Sequence, residues 1–116
     1  MKTSLPYLDF QYLGNIMSNY IINTEADLDL DDIWEYIAQD SVENADNWDA
    51  TLREAFALLG CTPAAGHTRR DLTDEAILFW PVGRYLIIYR PHLSGVEILG
   101  VTQGSRNIPS WLRKRS

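Results

Sequence analysis

The chain has 116 residues, 46% of them hydrophobic and 22% charged, with a net charge of −6 and a single cysteine. That size fits one domain with one core, and that balance excludes disorder as a state of the whole chain. A lone Cys61 excludes an intrachain disulfide, and no apolar run approaches the ~20 residues of a membrane span. Pro6, Asp9 and Gln11 break any apolar signal-peptide core, so the expected address is cytoplasmic.

The net charge hides a division. Residues 1–60 carry Lys2 and Arg53 against twelve acids, a balance of −10, whereas residues 61–116 carry eight bases against Asp71, Asp74, Glu75 and Glu97, a balance of +4. The plain reading is two solvated faces; the sharper one is a basic half that meets an anionic partner. The acidic total argues against non-specific nucleic-acid affinity, which depends on Lys and Arg contacts to phosphate.

In chain order, residues 1–17 have no period and read as an N-terminal extension, with the domain spanning 18–116. Tyr20 to Ile22 is a short β-prone run. Thr24 reads as a helix N-cap, with Glu25, Asp27 and Asp29 at the positive end of the dipole. Leu30, Ile33, Trp34 and Ile37 then fall on one helical face, with Asp31, Asp32 and Glu35 wet. Ser41 caps a second helix along Ala45, Trp48, Leu52, Phe56 and Leu59, with Gly60 as its C′ residue and Pro63 as its stop. Two helices so closely joined form an αα-hairpin, and Trp34 and Trp48 are expected in the core.

Residues 61–75 form a polar loop with Pro63, Gly66, His67, Arg69 and Arg70. Ile77 to Val82 reads as a strand interrupted by Pro81. Arg84 to Arg90 is a strong strand with apolar residues on both faces, as a central strand needs. Pro91 to Gly95 reads as a turn. Val96 to Thr102 alternates as another strand, ended by Gly104. Ile108 to Leu112 starts a short terminal helix with Pro109 in its first turn. The order is β-α-α-β-β-β with a short C-terminal helix, an α+β fold in which a helical hairpin packs on a small antiparallel-rich sheet.

Several residues are candidates for chemistry. His67 and His92 stand far apart with no acid or cysteine at metal spacing, so no metal is expected. Cys61 reads as a small half-buried residue beside a helix end. Arg69 and Arg70 form a loop patch for a partner, or a solvated loop. Phe79 and Trp80 point to opposite sheet faces, which leaves Trp80 a candidate for cover by a partner. Arg84, Arg90 and Arg106 are expected to converge on one sheet face. The tail around Trp111 and Arg113 is a contact to a partner or a frayed end.

Ordered pieces of the chain carry a resemblance. They are Ala26, Asp29, Leu30, Ile33, Trp34 and Tyr36-Ile37-Ala38; Ala45 and Trp48; Pro63 and Gly66; the segment from Phe79 to Pro91; and Val101 with Gly104-Ser105-Arg106-Asn107-Ile108. Over about residues 18–113 this resembles the RelE/ParE toxin superfamily of type II toxin–antitoxin systems, and the ParE branch in particular. The resemblance implies a toxin that inhibits DNA gyrase by binding and is neutralised by a cognate ParD-like antitoxin in a hetero-oligomer. It implies no cofactor and no catalytic residue. RelE-like members instead cleave messenger RNA on the ribosome with a basic cluster and a C-terminal tyrosine. Here the segment after Arg106, Asn107 to Leu112, has no tyrosine, and Leu78 stands where an arginine is common. The alternatives are a RelE-like endoribonuclease and an inactive member that keeps only antitoxin binding.

Overall fold

The structure is a computed structural model, and it describes residues 19–93 and 95–115. The expected extension at residues 1–17 lies outside the described residues. Strand β1 is Tyr20–Ile22, helix α1 Thr24–Ala38, helix α2 Val42–Cys61, strand β2 Leu78–Val82, strand β3 Tyr85–His92, strand β4 Gly95–Gln103 and helix α3 Ile108–Arg115. A 3₁₀ turn at Pro63–Ala65 comes after α2. This is the α+β order expected from the sequence.

The helix ends obey local chemistry, with two shifts. Asn23, not Thr24, caps α1: its side chain accepts from the Ala26 N–H at 2.8 Å. Thr24 is already helical. Ser41 caps α2 by accepting from the Asn44 N–H at 3.0 Å. Gly60 is not a C′ residue, because α2 runs through it to Cys61. Thr62 ends the helix, its hydroxyl donating to the Leu58 carbonyl at 2.8 Å, and Pro63 prevents another turn. Cys61 is exposed rather than half-buried.

The four strands lie in the order β1-β4-β3-β2. β2, β3 and β4 are successive antiparallel neighbours, while β1 pairs parallel with β4 through Tyr20–Val96 and Ile22–Ile98. β3 is thus central, as its two apolar faces require. Pro81 is tolerated because β2 is an edge strand. Pro91 is a strand residue and not the start of a turn; β2 no longer runs beside β3 there, so its missing N–H interrupts no ladder with β2. The β2–β3 turn demands a left-handed φ of 59° at its first residue, and Gly83 supplies it.

The sheet is buried on both faces. Against α1 and α2 pack Tyr85, Ile87, Tyr89, Val96, Ile98 and Val101, with Leu30, Leu52, Phe56 and Leu59 from the helices. On the other face Phe79, Ile88 and Ile77 pack with Ile108 and Trp111 of α3. Gly100 makes this second layer possible, because a Cβ there would run into the Trp111 ring. Trp34 and Trp48 are half-buried at the rim of the helical core rather than inside it. No described helix is long and apolar enough to cross a membrane.

Candidate functional site: a cleft at the open edge of β4

β1 is three residues long and β4 is nine. Beyond Ile98 the edge of β4 therefore has no strand beside it among the described residues. Asp29 of α1 and Arg115 of α3 reach this edge from the two faces of the sheet. The Asp29 carboxylate accepts from the Val101 N–H at 3.0 Å. The Arg115 guanidinium donates to the Leu99 carbonyl at 3.2 Å, and the two side chains form an ion pair with each other. Arg115 also lies over the Trp111 ring, 4.0 Å from its centroid, and 3.8 Å from Glu25. Burial pushes the Asp29 carboxyl up from its ordinary value; the Arg115 hydrogen bond, the Val101 N–H and the Arg115 charge pull against that rise.

These groups close one end of a cleft of about 580 Å³. Its α1 wall carries Asp32, Ile33 and Tyr36; its floor is Val101–Gln103 with Tyr85; its other wall is Arg106, Asn107, Ser110 and Lys114. Asn107 caps α3 by accepting from the Ser110 N–H at 3.1 Å. Tyr36 is 62% exposed and forms the rim. Asp29 and Asp32 thus share the cleft with Arg106, although nothing in the sequence brings the first helix to that arginine.

The candidates from the sequence scatter. Arg106 lines the cleft. Arg84 sits in the β2–β3 turn at the same end of the sheet, with its guanidinium 5.3 Å from the Tyr85 ring centroid. Arg90 lies at the opposite end of β3, paired across the strands with Glu97 at 3.0 Å. The three arginines do not converge. Trp111 is not frayed: it is buried in the second core layer and also borders the cleft. Arg113 is exposed on α3. Arg69 pairs with Asp71 at 2.7 Å in the exposed loop, and its neighbour Arg70 is exposed. Trp80 does face away from Phe79; it packs on the helical core and stacks with His67 at 6.4 Å between ring centroids. Leu78 packs on that same core. Among the described residues no group of three His, Cys, Asp or Glu could hold a metal ion.

Sequence reasoning missed Arg115 and the role of Asp29. Arg115 has no local signal, being one of three bases in a short tail. Asp29 has one: it stands three residues after Ala26 and four before Ile33, inside the apolar stripe of α1. An acid placed there needs a buried partner.

Comparisons with known proteins bear on this fold. Residues 20–108 match the family described as ParE toxin of type II toxin-antitoxin system, parDE. Among solved structures, a chain from the chromosomal ParDE TA system from P. aeruginosa is similar with a TM-score of 0.60 and 17% identity, over 75% of this chain and 96% of that chain. A search of curated proteins gave no match.

Proposed function

Because the chain belongs to the ParE toxin family of type II toxin–antitoxin systems, we propose that it is a toxin that acts by binding. Its target is DNA gyrase, and a cognate ParD-like antitoxin neutralises it in a hetero-oligomer. The observation that carries a binding mode is the use made of the segment after Arg106. Asn107 is spent on capping α3 and Trp111 on packing against the sheet. These residues therefore build the C-terminal helix rather than supply an acid or base. A guanidinium carries N–H donors and no acceptor, so Arg106 is suited to holding an anionic group and not to removing a proton.

One observation favours a second reading, a ribosome-dependent endoribonuclease. Asp32, Tyr36 and Tyr85 line the same cleft as Arg106. A carboxylate beside a cation is the minimum for work on a 2′-hydroxyl and a phosphate. Tyr85, however, is 2% exposed beneath Trp48, and Asp29 is committed to Arg115 and β4.

The test pairs two assays on the purified chain. Gyrase supercoiling is expected to fall in its presence, and messenger RNA on ribosomes is expected to stay intact. Codon-phased cuts in primer extension that vanish in Arg106→Ala would promote the nuclease to first place.

A further inference from the structure

β1 has β4 on one side and no strand on the other among the described residues. The Asn19 carbonyl accepts from the Val96 N–H at 3.1 Å, and the Asn23 N–H donates to the Ile98 carbonyl at 3.2 Å. These two bonds fix the phase of the parallel ladder. Asn19, Ile21 and Asn23 turn their backbone groups to β4, and Tyr20 and Ile22 turn theirs away from it. Among the described residues nothing pairs with that outer row. The side chains alternate as well. Tyr20 and Ile22 pack on the helical core, so Ile21 points to the opposite face, where it is 51% exposed. An open edge is ordinarily blunted by a charge, a proline or a bulge, and Tyr20-Ile21-Ile22 has none of these.

The segment that leads into β1 suits this edge. Asn19 has a left-handed φ of 62°, so the chain bends immediately before β1 instead of running into it in line. Gly95 of β4 leaves room for the Asn19 carbonyl, which a Cβ there would strike. Residues 1–18 carry only two charges, Lys2 and Asp9, among three aromatics and three leucines, which is not the composition of a solvated tail. They hold no period as a whole. Within them, however, Leu8, Phe10 and Tyr12 alternate with Asp9 and Gln11, and Gly14-Asn15 beyond is a hairpin-turn pair. The tether itself sets an effective concentration of about millimolar at β1, an advantage that a second copy or a separate peptide lacks.

We propose that the segment Leu8–Tyr12 folds back antiparallel on the outer edge of β1 as a fifth strand of the sheet, and so closes that edge to other chains. Leu8, Phe10 and Tyr12 then share a face with Ile21 and cover it. Opposed residues of an antiparallel pair also share their bonding phase. Asp9 and Gln11 therefore aim their backbone groups at those of Tyr20 and Ile22. This contact lies within one chain and does not depend on what the toxin binds.

The test is hydrogen exchange on the full chain labelled with ¹⁵N. The Tyr20 and Ile22 amides are expected to exchange slowly, although the ladder with β4 does not use them. Gln11→Pro removes an N–H aimed at β1, and is expected to speed exchange at these two amides by about tenfold or more. Gln11→Ala keeps that N–H and is expected to leave them slow. The Ile21 and Asn23 amides, bonded to β4, are expected to stay slow in both variants, which shows that the domain is intact. A nuclear Overhauser contact between the Phe10 ring and the Ile21 methyls, read on the unaltered chain, is expected whatever the variants do. Fast exchange at Tyr20 and Ile22 in the unaltered chain, slow exchange that survives Gln11→Pro, or the absence of the Phe10–Ile21 contact would each overturn the proposal. So would protection that rises with protein concentration, since it would give the edge to a second copy.

Discussion

Tyr89 joins the centre of the sheet to the turn after α2. Its ring is fully buried, its hydroxyl donates to the Pro63 carbonyl at 2.8 Å, and it accepts from the Gly66 N–H at 2.8 Å. Gly66 is required there, since a Cβ would meet the tyrosine ring. Tyr89→Phe keeps the packing but strands a donor and an acceptor, so it is expected to cost about 1–3 kcal/mol in a urea melt. A loss within error would mean that water reaches this turn. Asp29 gives a second test, on pH. Burial raises its carboxyl above the ordinary 3.8, so the folded chain holds that proton more tightly than the unfolded chain does. The resulting stabilisation is fully present below 3.8 and is lost as pH rises through the raised value. Asp29→Asn cannot titrate. The stability of the native chain relative to this variant is therefore expected to fall as pH rises across that window. Melts at several pH values check it; a gap that widens with pH would mean that Arg115 and the Val101 N–H outweigh burial.

Elements divide into those legible locally and those fixed at long range. The stripes of α1 and α2 are readable because 3.6 residues per turn brings Leu30 to Ile37, and Leu52 to Leu59, onto one side. Depth along a stripe is not readable: Trp34 and Trp48 fall on it but sit half-buried at the rim, toward the connection between α1 and α2. The Trp34 indole N–H even reaches an exposed partner, the Asp46 carboxylate, at 2.8 Å. Phe56, fully buried and edge-on to Tyr20 at 5.8 Å between centroids, lies deeper. Phe56→Ala is expected to cost about 3–5 kcal/mol, and Trp34→Ala clearly less. Equal losses in denaturant melts would place Trp34 in the core after all. The central strand β3 is legible from its doubly apolar run. The parallel pairing of β1 with β4 is not, because its partners lie far apart in sequence and no local pattern encodes it. The same distance hides the site. Arg106 can be singled out from its segment, but its cleft depends on α1 meeting α3, and Trp111 in a short terminal helix has too few neighbours to show a period.

The whole molecule is an acidic helical layer packed through one core on a basic strand-rich half, and α3 adds a tie from the opposite face of the sheet to α1. The family match ends at residue 108, the first residue of that helix. Yet α3 supplies Ile108 and Trp111 to the second core layer, forms a wall of the cleft, and sends Arg115 across the sheet edge to Asp29 and Glu25. Burying Ile108 and Trp111 contributes roughly 1.5–3 kcal/mol each. Removing Arg115 leaves Asp29 without its cation, a loss of about 3–5 kcal/mol where such a pair is buried; at 14% and 20% side-chain exposure the Asp29–Arg115 pair sits near that case. Against a typical total of about 5–15 kcal/mol, these losses are large. A chain truncated after Asn107 is therefore expected to melt far earlier than the full chain and to bind a hydrophobic dye through Phe79, Ile88 and Leu99. Trp111→Ala and Arg115→Ala separate the two contributions: the first is expected to raise dye binding, the second to destabilise with little change in it. A truncated chain within about 1 kcal/mol of the full one would mean that the second face of the sheet is stable without α3, and that the helix serves the cleft alone.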